Sequence, residues 1–293
     1  MKRNDTLWKG ILESLFPDFL KYFFKDADVL FDMEKGFQFL DKELEQLFPA
    51  EEIKAPRFVD KLVKVFTKSG REEWILVHIE VQGYHDKNFS ERMFTYFYRI
   101  LDKYEKRVTS IAVYTDANKN FHPKMFTYEY LGTRITFQFN TFKVIDQDEK
   151  SLAENDNPFA IVILTVLLAL KRKNLDDEDL YNLKYAIAKN LLERKIHKNK
   201  VDELLVFLQR YVTFENSGYN VKFDNVIEEL TEKQKTMGVR ELVLDLAEKE
   251  GIEKGKTEAI KNLLAANRFT DAEIANFAGV TEKFVLNVKK AIK

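Results

Sequence analysis

The chain of 293 residues has no cysteine. That single absence removes disulfides, thiolate nucleophiles and Cys-ligated zinc together, and it fits a reducing compartment, so the cytoplasm is the expected location. Glycine is sparse too, at 10 residues. Gly251 and Gly255 lie in the charged stretch EGIEKGK, which has neither the Walker spacing nor a preceding strand, so no nucleotide cofactor is expected. Net charge is missing as well: 47 Lys+Arg face 48 Asp+Glu, for a formal charge of -1. The whole-molecule field gives no pull toward nucleic acid, and any such contact must be local. No apolar run is long. The longest, Phe159 to Leu170, falls short of the roughly 20 residues that span a bilayer, so a buried helix is expected and no membrane segment. The opening MKRNDTLWKGILESLFPDFL breaks its apolar positions with charges and has no small-residue cleavage pattern, so it does not read as a signal peptide.

Phenylalanine is abundant, at 25 residues, and supplies volume for a core. Along the chain, Trp8, Ile11, Leu12 and Leu15 keep helical spacing, Asp5 or Thr6 can cap them and Pro17 marks a break. A second helical pattern runs through Phe37, Leu40, Leu44 and Leu47 up to Pro49. FVDKLVKVF and EEWILVHIEVQ, rich in β-branched and aromatic residues and separated by TKSGR, then predict a β-hairpin. Asn88 to Tyr104 carries Met93, Phe97, Ile100 and Leu101 at helical spacing. Strands follow over VTSIAVYT, near MFTYEYL, and over TRITFQFN toward FKVID. Helix, hairpin, helix and strand in that order predict one mixed sheet sandwiched by helices.

Beyond Asn157-Pro158 the pattern is all helical. Three regions result: an α/β core over residues 1–150, a helical region over 151–236, and a charged linker with a small C-terminal helical hairpin over 237–293. In that last part Ala275, Gly279, Val280 and Val285 have helix-turn-helix-like spacing. Asp271 or Thr270 can cap its first helix and Thr281 its second. Its second helix is not Arg-rich, which favours a dimerisation or docking tail slightly over DNA reading.

One cluster can carry chemistry. On an ideal strand Trp74, Leu76, His78, Glu80 and Gln82 share a face, and a carboxylate in so apolar a strand is expensive unless paired or metal-bound. The hairpin partner brings Asp60. Two carboxylates, a backbone carbonyl and waters form a hard oxygen site suited to Mg²⁺. The bland alternative pairs Asp60 with Lys64 or Arg57 on an exposed face, and His78 reads as a sheet residue rather than a ligand. Arg92, Tyr96 and Arg99, at i, i+4 and i+7, place a cationic stripe with an aromatic on one helix face. It suits phosphate contacts, or equally a solvated face bridged to Glu91 or Asp102.

An Asp followed across a hairpin by Glu-x-Gln resembles the PD-(D/E)xK nuclease superfamily, and within it the recombination-promoting nuclease (Rpn) and transposase-like group. WKGILESLFPDFL, FLDKEL, RFVDKLVKV, WILVHIEVQG, SERMFTYFYRIL and NPFAIVIL carry the resemblance. It implies a restriction-endonuclease-like mixed sheet flanked by helices and a DNA endonuclease using Mg²⁺ or another divalent cation such as Mn²⁺, associated with recombination or transposition. Asp60 and Glu80 are then the metal ligands. Gln82 stands where the superfamily usually has a catalytic Lys; it cannot carry charge or act as a base, but it can orient a water. The resemblance adds an acid from the first helix, with Glu13 the first candidate and Glu43 the second. DNA is the expected partner, with a homodimer allowed. The rival expectation is a weak or inactive nuclease-fold scaffold that binds DNA or a protein through its C-terminal helices.

Overall fold

The structure is a computed structural model that describes residues 2–47, 59–80, 88–233, 257, 259–265, 268–280 and 282–292. Contacts divide the chain into two compact units, Met1–Ile227 and Glu228–Lys293. Residues 151–227 of the expected helical region fall in the same unit as the sheet.

Helices α1 (Lys2–Ser14) and α2 (Phe16–Phe23) open the first unit, divided at Leu15 with Pro17 in the first turn of α2, where its missing N–H is tolerated. The short α3 (Ala27–Leu30) follows. The helix expected through Phe37 and Leu47 is instead split into β1 (Gln38–Phe39) and α4 (Asp41–Glu45). Tertiary pairing overrides the helical spacing there, because Gln38 and Phe39 dock on the edge of the next strand, opposite Lys64 and Val63.

The predicted hairpin is β2 (Val59–Phe66) and β3 (Glu72–Glu80), antiparallel, turned at Gly70 with φ 83°. α5 (Phe89–Tyr104) and β4 (Val108–Tyr114) follow, and β4 runs parallel to β3. β5 (Met125–Tyr130) and β6 (Thr133–Gln138) pair only with each other as a separate ribbon, whereas the sequence placed them in the main sheet. β7 (Asn140–Lys143) completes the mixed five-stranded sheet, in the order β1-β2-β3-β4-β7.

The two faces of that sheet have different covers. Leu62 and Trp74 pack with Ile100, and Ala112 and Tyr114 with Phe89 and Met93, so α5 lies on one face. On the other, Phe142 meets Tyr22 and Phe23 of α2. Behind this layer run α6 (Glu149–Glu154), α7 (Phe159–Lys171), α8 (Asp177–Glu193), α9 (Lys198–Tyr211) and α10 (Ser217–Lys233). Helix α7 is the expected buried helix, with every residue from Phe159 to Leu168 buried. Among the described residues no helix is long and apolar enough to cross a membrane. The Tyr211 hydroxyl, deep in the unit, bonds Trp8 Nε1 (3.3 Å) and the Thr115 side chain, tying α9 to α1 and to the end of β4.

Lys184 of α8 is buried in an aromatic box. Its ammonium donates to the Val212 carbonyl (2.7 Å) at the end of α9 and lies 4.7 and 4.1 Å from the ring centres of Phe214 and Phe223. Burial pushes its pKa down from 10.5 to about 7, against an opposing pull from Asp224. Between these two values the unfolded chain binds the proton and the folded one does not. Stability should therefore rise with pH from about 7 to 10.5, at no more than about 1.4 kcal/mol per pH unit for one proton. Lys184→Met should remove this slope from urea midpoints measured across the window; parallel curves for the two proteins would contradict it.

In the second unit, α11 (Asp271–Ala278) and α12 (Glu282–Ile292) form the expected helical pair. Thr270 and Glu273 close a reciprocal capping box on α11, and Gly279 ends it in the left-handed conformation. Ile260, Ile274, Val285 and Val288 supply a core. Lys289 clamps Asp271 across the pair at 2.7 and 2.9 Å.

Candidate metal and phosphate site

The β2–β3 register sets Asp60 opposite His78, and Glu80 stands two residues further along the same strand. Residues opposite in an antiparallel pair, and residues two apart on one strand, share a face. Positions 60 and 80 are therefore diagonal neighbours on one face of the sheet, a relation that puts Cα atoms about 7–8 Å apart. Two independent registers identify that face. Position 60 alternates with Leu62, which packs under α5, and position 80 pairs with Tyr114, which also does. The side chains of Asp60 and Glu80, and the whole of Gln82, lie outside the described residues. Among the described residues no group of three or more His, Asp or Glu is placed to hold a metal ion.

Helix α5 brings its first turns to this end of the sheet. Phe89 packs on Tyr114 with ring centres 5.3 Å apart, and the Arg92 guanidinium lies 5.4 Å from the Phe89 ring. The stripe of Arg92, Tyr96 and Arg99 is half-buried and looks inward rather than to open solvent. Tyr96 packs on the cluster of Leu44, Leu47, Leu62, Trp74 and Ile100, and Arg99 donates to the Leu47 carbonyl (3.0 Å). Arg99 thus ties α5 to the segment after α4.

Glu13 is held elsewhere. It takes a hydrogen bond from the buried Lys61 ammonium, which also donates to Asp41 Oδ2 at 2.5 Å. Lys61 follows Asp60 in β2, so successive alternation assigns it to the opposite face. Glu13 of α1 and Asp41 of α4 together anchor the strand that carries Asp60. Glu43, the second candidate, sits in α4, where its backbone carbonyl receives the Tyr104 hydroxyl at 3.4 Å.

Sequence reasoning missed a polar group at the same end of the sheet. Glu80, Tyr114 and Lys143 are directly paired across β3, β4 and β7. Lys143 donates to Asp116 Oδ2 (2.5 Å) and to the Phe121 carbonyl (3.1 Å), and both side chains of the pair are sealed, at 1% and 0% exposure. Next to it His122 Nε2 is 2.9 Å from Thr141 Oγ1. Desolvation, then the nearby charges of Lys124 and Lys143, hold the His122 pKa below its usual value, so the ring is neutral at pH 7. The one available signal was the lysine between Phe142 and Val144 in the stretch NTFKVID, at the end of β7.

The arrangement brings two carboxylate-bearing positions to one sheet face beside an arginine-bearing helix, at the C-terminal end of parallel strands, where α/β sheets commonly bind ligands. No family model, curated protein or solved structure matches the chain.

Proposed function

We propose that this chain is a divalent-metal-dependent DNA endonuclease of the PD-(D/E)xK type, with Asp60 and Glu80 as the pair that holds Mg²⁺ or Mn²⁺. The observation that carries the reading is the register: diagonal placement of positions 60 and 80 on the α5-side face. Two carboxylates at such spacing suit a hard cation, because without one their like charges oppose each other. A bound ion supplies positive charge to a scissile phosphodiester and makes water a better nucleophile.

The chain's own residues supply the rest. Arg92, at the end of the first turn of α5, offers a two-pronged donor to phosphate oxygens. Gln82 orients a water through its amide, accepting at Oε1 and donating at Nε2, and takes up no proton. Glu13 is a positioning residue, acting with Asp41 through Lys61 to fix the start of β2. A water oxygen would bond to phosphorus as the P–O3′ bond breaks, the water's proton passing to solvent while the departing 3′ oxygen takes one from solvent.

The test is cleavage of supercoiled plasmid by the full chain with Mg²⁺, with EDTA as control. Cleavage that requires the ion, and is lost in D60A and in E80A, is expected. Metal-independent cleavage, or none under any condition, would sink the proposal. At position 82 a lysine places charge beside the phosphate, so Gln82→Lys should raise the cleavage rate by several-fold, up to about 10²-fold. A rate unchanged in that variant would remove the role given to Gln82.

The capped helical pair with its own core favours one second reading, in which a nuclease-fold scaffold binds DNA or a partner through the C-terminal unit. Phe277 and Leu286 are exposed there. On that reading Phe277→Ser and Leu286→Asn weaken DNA binding while D60A and E80A change nothing.

A further inference from the structure

The β5–β6 ribbon has one polar and one apolar face. Register pairs Phe126 with Phe137, Tyr128 with Ile135 and Tyr130 with Thr133, while Glu129 meets Arg134 on the reverse. The base of the apolar face is rooted on α5, where Phe94 stacks on Phe126 at 4.9 Å and Phe97 meets Phe137 at 4.6 Å. The outer half overhangs: Tyr128, Tyr130, Leu131 and Ile135 are all exposed, Leu131 at 88%. Two strands alone make a marginal ribbon in water, and an apolar face needs a cover. On α5 the same surface continues through Tyr98 and Leu101, also exposed, with Tyr98 next to Phe94 at 5.7 Å.

The tip points the same way. Leu131 and Gly132 turn the ribbon with φ of 44° and 86°. Both positions of such a turn favour Asn, Asp or Gly, and a bulky side chain strains the first. The sequence thus keeps a large apolar residue where conformation and solvent both disfavour it, as expected of a residue that is covered in the working state.

We propose that this surface joins two copies of the chain, each placing its Tyr130–Leu131 tip on the Tyr98–Leu101 stripe of the other. The chain carries both halves of the contact, an arm and a receiving stripe, as a two-fold interface requires. The area is sufficient. At their exposures these six side chains offer on the order of 100 Å² each, so reciprocal burial reaches about 1,200 Å², the lower bound for stable specific interfaces. The charge pattern argues against a phosphate-bearing occupant. Glu129 and Arg134 neutralise each other at 2.8 Å on the reverse face, and the apolar face has no charged residue to meet a phosphate or a lipid headgroup.

Sedimentation velocity of the full chain up to about 100 µM tests this, alongside flotation with vesicles of anionic phospholipid. The wild type is expected to dimerise and to ignore vesicles. Leu131→Asn on the arm and Leu101→Glu on the stripe should each weaken the dimer about tenfold or more. Leu131→Asn relaxes the turn, so its melting temperature should not fall, which separates loss of contact from loss of fold. With no native cysteine, mixed Leu131→Cys and Leu101→Cys chains should be joined by a short bismaleimide. A monomeric wild type, a dimer that both variants leave intact, or vesicle binding lost in Leu131→Asn would each overturn the proposal.

Discussion

Glu80→Ala is expected to lower Mg²⁺-dependent DNA cleavage by on the order of 10³-fold or more, and Asp60→Ala by a similar factor, because on the proposed reading removing either carboxylate would halve the charge that holds the ion against the scissile phosphate. The magnitude follows from the pairing. One carboxylate at a sheet surface binds a dication weakly, and on the proposed reading positions 60 and 80 would act as a unit through their diagonal register. The same geometry predicts an opposite effect on stability. If the proposed pairing holds, two like charges without metal would oppose each other across the sheet, so each variant should melt at or slightly above the wild-type temperature. Added Mg²⁺ should then raise the wild-type melting temperature and leave both variants unmoved, since only a ligand bound to the folded state stabilises it. Parallel melts with and without Mg²⁺ measure both effects, and variants that melt well below the wild type would point to a purely structural role for the two acids.

Lys143→Ala should have the largest effect on stability. It leaves Asp116, with no exposed side-chain surface, charged and without its ammonium partner. Breaking a buried ion pair from one side costs about 3–5 kcal/mol, which in a unit of this size lowers the melting temperature by about 10 °C. Lys143→Met with Asp116→Leu removes both charges and should recover most of that loss, because no buried charge remains uncompensated. Thermal melts of the three variants decide it. Equal loss in the single and the double variant would mean that packing around Tyr114, rather than the charge pair, holds the strand ends. Lys143 lies in the row that begins at Glu80, so on the proposed reading Lys143→Ala should also weaken metal binding, whereas the double variant should weaken it less.

The hairpin, α5 and β4 were legible because their apolar residues repeat at strand or helix period over seven or more positions, and α7 because it is apolar all round. Shorter elements were not. Phe37, Leu40, Leu44 and Leu47 keep helical spacing, yet Gln38–Phe39 pairs as an edge strand because β2 offers it open backbone groups. The segments MFTYEYL and TRITFQFN read as strands but held no information about their partner, and only the fold shows that they stand apart from the main sheet. The i, i+4, i+7 spacing of Arg92, Tyr96 and Arg99 set one helix face without saying which way it looks. It looks toward the sheet and α4, and Arg99 ends on a backbone carbonyl. Likewise the family resemblance offered Glu13 as an acid on the first helix, but nothing in the sequence says that Lys61 takes it, since the two residues are brought together by packing across 48 positions. Lys143 and Asp116, 27 positions apart, become partners only through the parallel pairing of β4 and β7.

The most direct measurement is a Mn²⁺ titration of the full chain followed by electron paramagnetic resonance of the free ion, in the wild type and in the single variants. One ion bound per wild-type chain, with affinity reduced about tenfold or more by Asp60→Ala and by Glu80→Ala alike, is the predicted result. No binding by the wild type, or binding that either single variant leaves intact, would contradict a cation held between positions 60 and 80.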